Sequence, residues 1–179
     1  AGFMMFAMMF QVSSLAGQKR TSDAAQLLVD AIRISMLLGI IFPLLVYFTR
    51  KYILMFVVCP DEYVGDISNY IFCTSLLTVF FSSFNILCGT LLGLGMSTLS
   101  GIVQILSIIF SLCIVDPILC FAVKAPLWSF GFSYVSGQVL FTIILFVMFL
   151  MGKFSIKPTL SMFIKKQSEF LGTTLGKSA

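Results

Sequence analysis

Between positions 67 and 123 the chain carries one charged side chain, Asp116, and Pro117 follows it at once. As a helix that stretch would reach roughly 85 Å at 1.5 Å per residue, against a hydrocarbon layer of about 30 Å. It must therefore cross a bilayer more than once. The hydrophobic pattern divides the chain into five apolar segments, at about 1–16, 24–47, 67–92, 98–123 and 127–152. The first is about one bilayer-length or less and reads as a span cut at its start, so the chain is expected to be a piece of a longer protein. A signal peptide fits poorly there, because no basic region precedes the apolar run.

Polar punctuation separates the segments. Gly17 to Asp23 forms a basic turn, where Thr21 or Ser22 is expected to cap the next helix and Asp23 to favour its positive end. Arg50-Lys51 marks the end of the second segment, in which Pro43 predicts a kink. Gly93-Leu94-Gly95-Met96-Ser97 suits a tight turn, and Lys124-Ala125-Pro126 makes the next one. Residues 153–179 read as a basic, partly amphipathic cytoplasmic tail or linker.

Composition sharpens this picture. Hydrophobic residues make up 59% of the 179 and charged residues 10%, with mean hydropathy +1.09; soluble domains carry about 25% charged residues. The fold class expected is an all-α polytopic membrane protein with about four complete transmembrane helices plus one truncated. The formal charge of +4 follows topology and does not indicate nucleic-acid binding. There is no histidine, so a histidine-dependent triad is excluded within this chain. Of five cysteines, Cys73, Cys88, Cys113 and Cys120 lie in apolar runs as small hydrophobes, and Cys59 falls near a loop where it could react. No CxxC occurs, and no metal site or cofactor is expected.

Three spans carry polar faces. Ser75, Thr78, Ser82 and Asn85, with Gly89 next, recur at spacings of 3 and 4 and are candidates to line a cavity, as is Ser133 in the fifth segment beside Ser129, Ser136 and Gln138. Small hydroxyl residues also let helices pack closely, and for the 75–85 stripe packing is the competing reading. In the fourth segment Ser100, Gln104, Ser107 and Ser111 share a face. Asp116 would stand about 180° from Ser107 on an unbroken helix. Either the serine face is for packing, or Pro117 reorients the helix. Pro117 cannot donate to the carbonyl of Cys113, and a freed carbonyl near a carboxylate suits a proton, Na⁺ or a cationic substrate. The competing reading is an interfacial aspartate, since Lys124 lies only about 12 Å further along a helix.

The order Ser14-Leu15-Ala16-Gly17-Gln18-Lys19-Arg20, then Tyr70, then Leu91-Leu92-Gly93-Leu94-Gly95-Met96-Ser97, then Val115-Asp116-Pro117-Ile118-Leu119 resembles the multidrug and toxic compound extrusion (MATE) family. The resemblance implies part of the amino-terminal lobe of a twelve-helix, two-lobe transporter, from the end of helix two through helix six. The second lobe of the same polypeptide would be its partner, together with membrane lipid. It also implies cation-coupled antiport, with H⁺ or Na⁺ as coupling ion and organic cations or amphiphiles as cargo. Asp116 matches the family's cation-coupling aspartate, in a Leu-Asp-Pro-Leu-type motif. Leu112 stands where members often have Asn. Gly131 to Ser136 lines up with the start of helix six, so Ser136 replaces a Thr hydroxyl, and Asp116, Pro117 and Ser136 form the implied coupling set. Rival readings are a lipid-linked oligosaccharide flippase of the same superfamily, whose cavities are strongly cationic, and a non-transporting multispan scaffold. An intramembrane enzyme is disfavoured, because Asp116 has only the more peripheral Asp30 as a second carboxylate.

Cytoplasmic turns attract Lys and Arg. Lys19, Arg20 and the lysines from Lys153 onward outnumber Arg50, Lys51 and Lys124 on the opposite side. Cysteines placed at 19 and 153 in a cysteine-depleted background should therefore resist an impermeant thiol reagent added outside, while one at 124 reacts. The reverse labelling pattern would invert the topology.

Overall fold

A computed structural model describes residues 2–56, 61–158 and 162. Among these there are helices and turns and no strand. The apolar segments become α1 (Gly2–Gly17), α2 (Thr21–Phe56), α3 (Val64–Leu76), α4 (Thr78–Gly93), α5 (Ser97–Ile109) and α6 (Phe130–Leu150). Beyond α5 the helix continues through Val123 in wider turns, so that Ser97–Val123 is a single span. Thr21–Met55 and Phe130–Leu150 are long and apolar enough to span too, and α3 with α4 forms a pair bent by 45°, a broken span or a re-entrant loop. The protein is thus an integral, multi-pass, all-α membrane protein, with a shorter apolar helix ahead of three or four spans among the described residues.

Helix ends follow backbone chemistry. After α4, Met96 N–H bonds the Leu91 carbonyl at 2.9 Å and Gly95 N–H bonds that of Leu92 at 3.0 Å, with Gly95 at φ +80°. This paired closure satisfies two otherwise orphaned carbonyls and needs a left-handed residue, which glycine supplies without strain. Gly152 (φ +68°) closes α6 the same way, and Lys19 (φ 57°) does so after α1. The expected hydroxyl cap of α2 is not formed. Thr21 and Ser22 already lie in its first turn, and Asp23 instead takes the Arg20 Nε at 2.6 Å.

Three expected boundaries need correction. The second segment does not stop at 47. It continues to Phe56, because backbone bonding needs no apolar residue: Thr49 Oγ1 donates to the Leu45 carbonyl, and Arg50 rests 4.8 Å from the Tyr47 ring centroid. The third segment is not one straight helix. It breaks at Leu77 (φ −89°, ψ 2°) and turns by 45°. Thr74 Oγ1 donates to the Tyr70 carbonyl at 2.8 Å and Ser75 Oγ to that of Phe72 at 2.6 Å, back-bonds that bend helices. Finally, the tail or linker expected from 153 onward does not begin clear of the helices. Phe154 and Ile156 are buried, and the Phe154 ring lies 4.6 Å from that of Phe149. Arg33 Nη2 also donates to the Met162 carbonyl at 2.6 Å. The rest of the expected tail, the loop cysteine Cys59 and Ala1 lie outside the described residues.

Packing is uneven along the bundle. Met8 and Val12 of α1, Leu28 of α2, Leu87 and Leu91 of α4, Leu145 and Phe149 of α6, and Ile156 form one buried cluster. These lie toward the end holding the turns after α1, α4 and α6, which is therefore sealed. All five tyrosines and Trp128 lie toward the opposite end, as in an interfacial aromatic belt. There the second half of α2 is mostly exposed.

Close backbone contact holds the sealed end. A Cβ on Gly89 would collide with the Met5 carbonyl, and one on Gly93 would meet the Met9 carbonyl and Val12. Gly89→Ala should lower stability by about 1–3 kcal/mol, because α1 must move away. Gly101→Ala, where nothing lies within 4 Å, is the control and should not. Thermal unfolding in detergent compares them, and equal midpoints would contradict the close crossing.

Candidate functional site

Asp116 and Pro117 sit between two π-helical stretches, Phe110–Val115 and Ile118–Val123. Both keep helical dihedrals, φ −59° and ψ −49° for Asp116 and φ −60° and ψ −37° for Pro117. Proline therefore widens this helix without breaking it. Wider turns accommodate the missing amide, and π-bulges recur at functional sites. They also rotate less per residue than α turns, so the 180° offset from Ser107 reckoned for an unbroken α-helix does not carry over to Asp116. The Asp116 side chain is half-buried, and among the described residues no hydrogen bond or ion pair reaches its carboxylate. Beyond it the helix projects from the bundle, with Phe121 82% exposed, until Lys124 (φ 49°) ends it.

The serine face of this span is a packing face. Ser100, Ser107 and Ser111 are buried, and Ser100 Oγ donates to the Cys88 carbonyl of α4 at 3.2 Å. Ser111 is the hub of the seam with α6. Its Oγ accepts from Gly137 N–H at 3.1 Å and lies 3.4 Å from Ser136 Oγ, while Ser133 Oγ donates to its carbonyl at 3.4 Å. Gly137 permits this, because a Cβ there would overlap the Ser107 carbonyl. Of the implied coupling set, Asp116 and Pro117 are adjacent. Ser136 is bonded to Ser111 and to the Ser133 carbonyl at 2.7 Å, with no bond to Asp116.

The break at Leu77 divides the stripe read from the third segment. Ser75 lies before it; Thr78, Ser82 and Asn85 lie after it. Ser82 is buried and bonded to Ser35 of α2, Oγ to Oγ at 2.8 Å, and Ser35 also meets Ser83 Oγ at 3.0 Å and the Val79 carbonyl at 3.1 Å. Ser75 is buried on its back-bond, and Ser133 is buried in the α5–α6 seam. Thr78 and Asn85 stay half-buried, Asn85 Nδ2 donating to the Phe81 carbonyl at 2.7 Å.

Two further features emerge from the fold. Gly131, Gln138 and Thr142 share one face of α6 by helical spacing. Gly131 abuts Tyr70 and Thr74 of α3, and Thr142 Oγ1 reaches the Phe80 carbonyl of α4, which brings Gln138 level with the Leu77 break. Gln138 Oε1 is buried and accepts no hydrogen bond among the described residues. Its polarity was visible in the sequence; its lack of a partner was not. A cleft of about 380 Å³ lies between α2 and α3, lined by apolar groups and Tyr47 and by none of the expected cavity residues. No group of acidic, cysteine or histidine side chains among the described residues could hold a metal ion.

A model of the MatE family matches residues 1–118, from α1 through the residue after Pro117. The chain belongs to the MatE family. It is accordingly a MATE-family transporter chain. No curated protein and no solved structure matches it.

The seam and the carboxylate of this MatE chain are separable. Paired Ser111→Ala and Ser136→Ala substitutions should show a coupling of about 0.6 kcal/mol, typical of hydrogen bonds between membrane helices. Asp116→Asn combined with Ser136→Ala should be additive. A double-mutant cycle on unfolding in detergent distinguishes these outcomes, and coupling between positions 116 and 136 would link Ser136 to the aspartate.

Proposed function

We propose that this chain contributes the amino-terminal lobe of a cation-coupled antiporter that exports organic cations or amphiphiles, a second lobe of the same polypeptide completing the pathway. The observation that carries the reading is Asp116: a carboxylate without a hydrogen-bond or ion-pair partner among the described residues, beside a proline, in the widened part of a membrane helix. A carboxylate at mid-membrane costs about 2.5–3.5 kcal/mol on insertion scales and is seldom kept without a task. Binding H⁺ or Na⁺ removes its net charge and, with it, the pull toward water. The flanking π turns supply the compliance. Proton or ion occupancy then shifts the tilt of the Ile118–Val123 end, which little else holds.

The unequal packing fits the same cycle. With the basic turns inside, the sealed end faces the cytoplasm and the loosely packed aromatic end faces out. Cargo would leave on that side. The flippase alternative draws less support. It calls for a strongly cationic cavity, whereas Arg33 is engaged by Asp30 Oδ1 at 2.9 Å and by the Met162 carbonyl.

Asp116→Asn keeps the volume and loses the titratable charge. It should abolish or strongly reduce export while leaving insertion intact. Pro117→Ala restores an amide donor and should tighten the wide turns, slowing the cycle more than it weakens ion binding. Efflux of a fluorescent organic cation, normalised to inserted protein across a pH and Na⁺ series, tests both. Wild-type transport by Asp116→Asn with unchanged pH and Na⁺ dependence would overturn the coupling role.

A further inference from the structure

The cleft between α2 and α3 has a shape and a rim that the transport reading does not use. Its floor comes from two backbone features of α2. Gly39 has no side chain and presses on Val79 of α4, where a Cβ would collide. Pro43 is buried and offers no amide to the Gly39 carbonyl. Leu76, the last residue of α3 before the break, and Phe72 form the opposite wall. Tyr47 closes the aromatic end, its ring 5.8 Å from that of Phe72. From Gly39 to Tyr47 the groove runs about 12 Å along the helix. An α-helix, about 10–12 Å across, cannot enter a cleft of about 380 Å³. A single extended hydrocarbon chain can.

The α2 side of the rim carries two cations. Arg50 lies one helical turn beyond Tyr47 with its guanidinium 4.8 Å from the ring centroid, and Lys51 follows it. Arg50 forms no ion pair among the described residues. A guanidinium resting on an aromatic face keeps its N–H edge available, and that edge matches phosphate oxygens. Asp66 of α3 lies six residues before Phe72, about 9 Å further toward water. Arg50, about 4.5 Å beyond Tyr47, is nearer the groove. The tyrosines around this rim place it at headgroup depth.

We propose that this groove is a binding site for an anionic phospholipid, one acyl chain lying between α2 and α3 and the phosphate held by Arg50 with Lys51. The acyl chain covers apolar surface that the bundle leaves open, and the paired cations disfavour headgroups that carry a positive charge of their own.

Native mass spectrometry of the purified full chain, exchanged with phosphatidylglycerol or with phosphatidylcholine of identical acyl chains, tests the site. Wild-type protein should retain phosphatidylglycerol preferentially. Arg50→Gln should reduce that retention about fivefold, the worth of one cation near an anionic lipid surface, and leave phosphatidylcholine unchanged. Leu44→Trp, which places an indole in the groove, should lower retention of both lipids with an unchanged thermal midpoint. Equal retention of the two lipids by the wild type would overturn the proposal. So would an Arg50→Gln variant that retains phosphatidylglycerol fully. Displacement by glycerol phosphate at concentrations equal to the lipid would also overturn it, because the site would then be a soluble-phosphate site.

Discussion

The approach of α4 to α1 at Gly89 and Gly93 is the contact on which the rest of the bundle depends. Between helices in lipid there is little hydrophobic drive, because the tails are as apolar as leucine. Association rests on packing and on hydrogen bonds that form only where backbones come close. The missing side chains at Gly89 and Gly93 let the carbonyls of Met5 and Met9 press onto α4. The buried cluster of Val12, Leu87 and Leu91 follows from that proximity. Gly39 on Val79 and Gly137 on the Ser107 carbonyl repeat the device at two other crossings. The hydroxyl groups then act over short reach: Ser35 against Ser82 and Ser83, Ser111 against Ser136 and the Gly137 amide. Each hydroxyl cluster sits beside one of these glycine contacts.

Much of this architecture was legible in the sequence, for physical reasons. Apolar runs of bilayer length name the spans. Glycine at position 95 marks the one place after α4 where a left-handed residue closes the helix. Serines at helical spacing between 100 and 111 mark a face, and burial shows that face to be a packing seam. The break at Leu77 was hidden because hydrophobic periodicity runs through it unchanged. What bends the chain is a pair of local bonds, from Thr74 and Ser75 to their own backbone, and such bonds compete with the helix wherever these residues occur. The fold-back at 153–158 was hidden for another reason. Phe154 and Ile156 are two apolar residues among polar ones, and the cluster they join draws on α1, α2 and α4 as well as on nearby Phe149.

The candidate site was legible in kind and not in arrangement. An aspartate before a proline within an apolar run is visible at once, and the family match reaches just past it. That Ser136 bonds Ser111 depends on how α6 meets α5, which spacing along one helix cannot convey. The phase of Asp116 stayed open in the sequence for a related reason. Counting 100° per residue assumes α turns, and the stretch Phe110–Val115 is wider. A proline can thus alter the direction of every side chain after it without ending the helix.

This widening bears on how one carboxylate could influence a whole lobe. Helices packed along their length resist local change, because interiors are dense and movement costs contacts. The Ser97–Val123 helix is packed only along its first half, through Ser100, Ser107 and Ser111. From Leu112 onward most of its side chains are exposed on the bundle, and Asp116 lies at the boundary between the two regimes. Segments with few buried contacts open at low free energy, whereas the clustered core does not. In the coupling role proposed for Asp116, a change of its charge would act where the helix is least packed and where its far end has least to lose by moving. The more densely packed end, fixed by the glycine crossings, would then be the rigid reference for that motion.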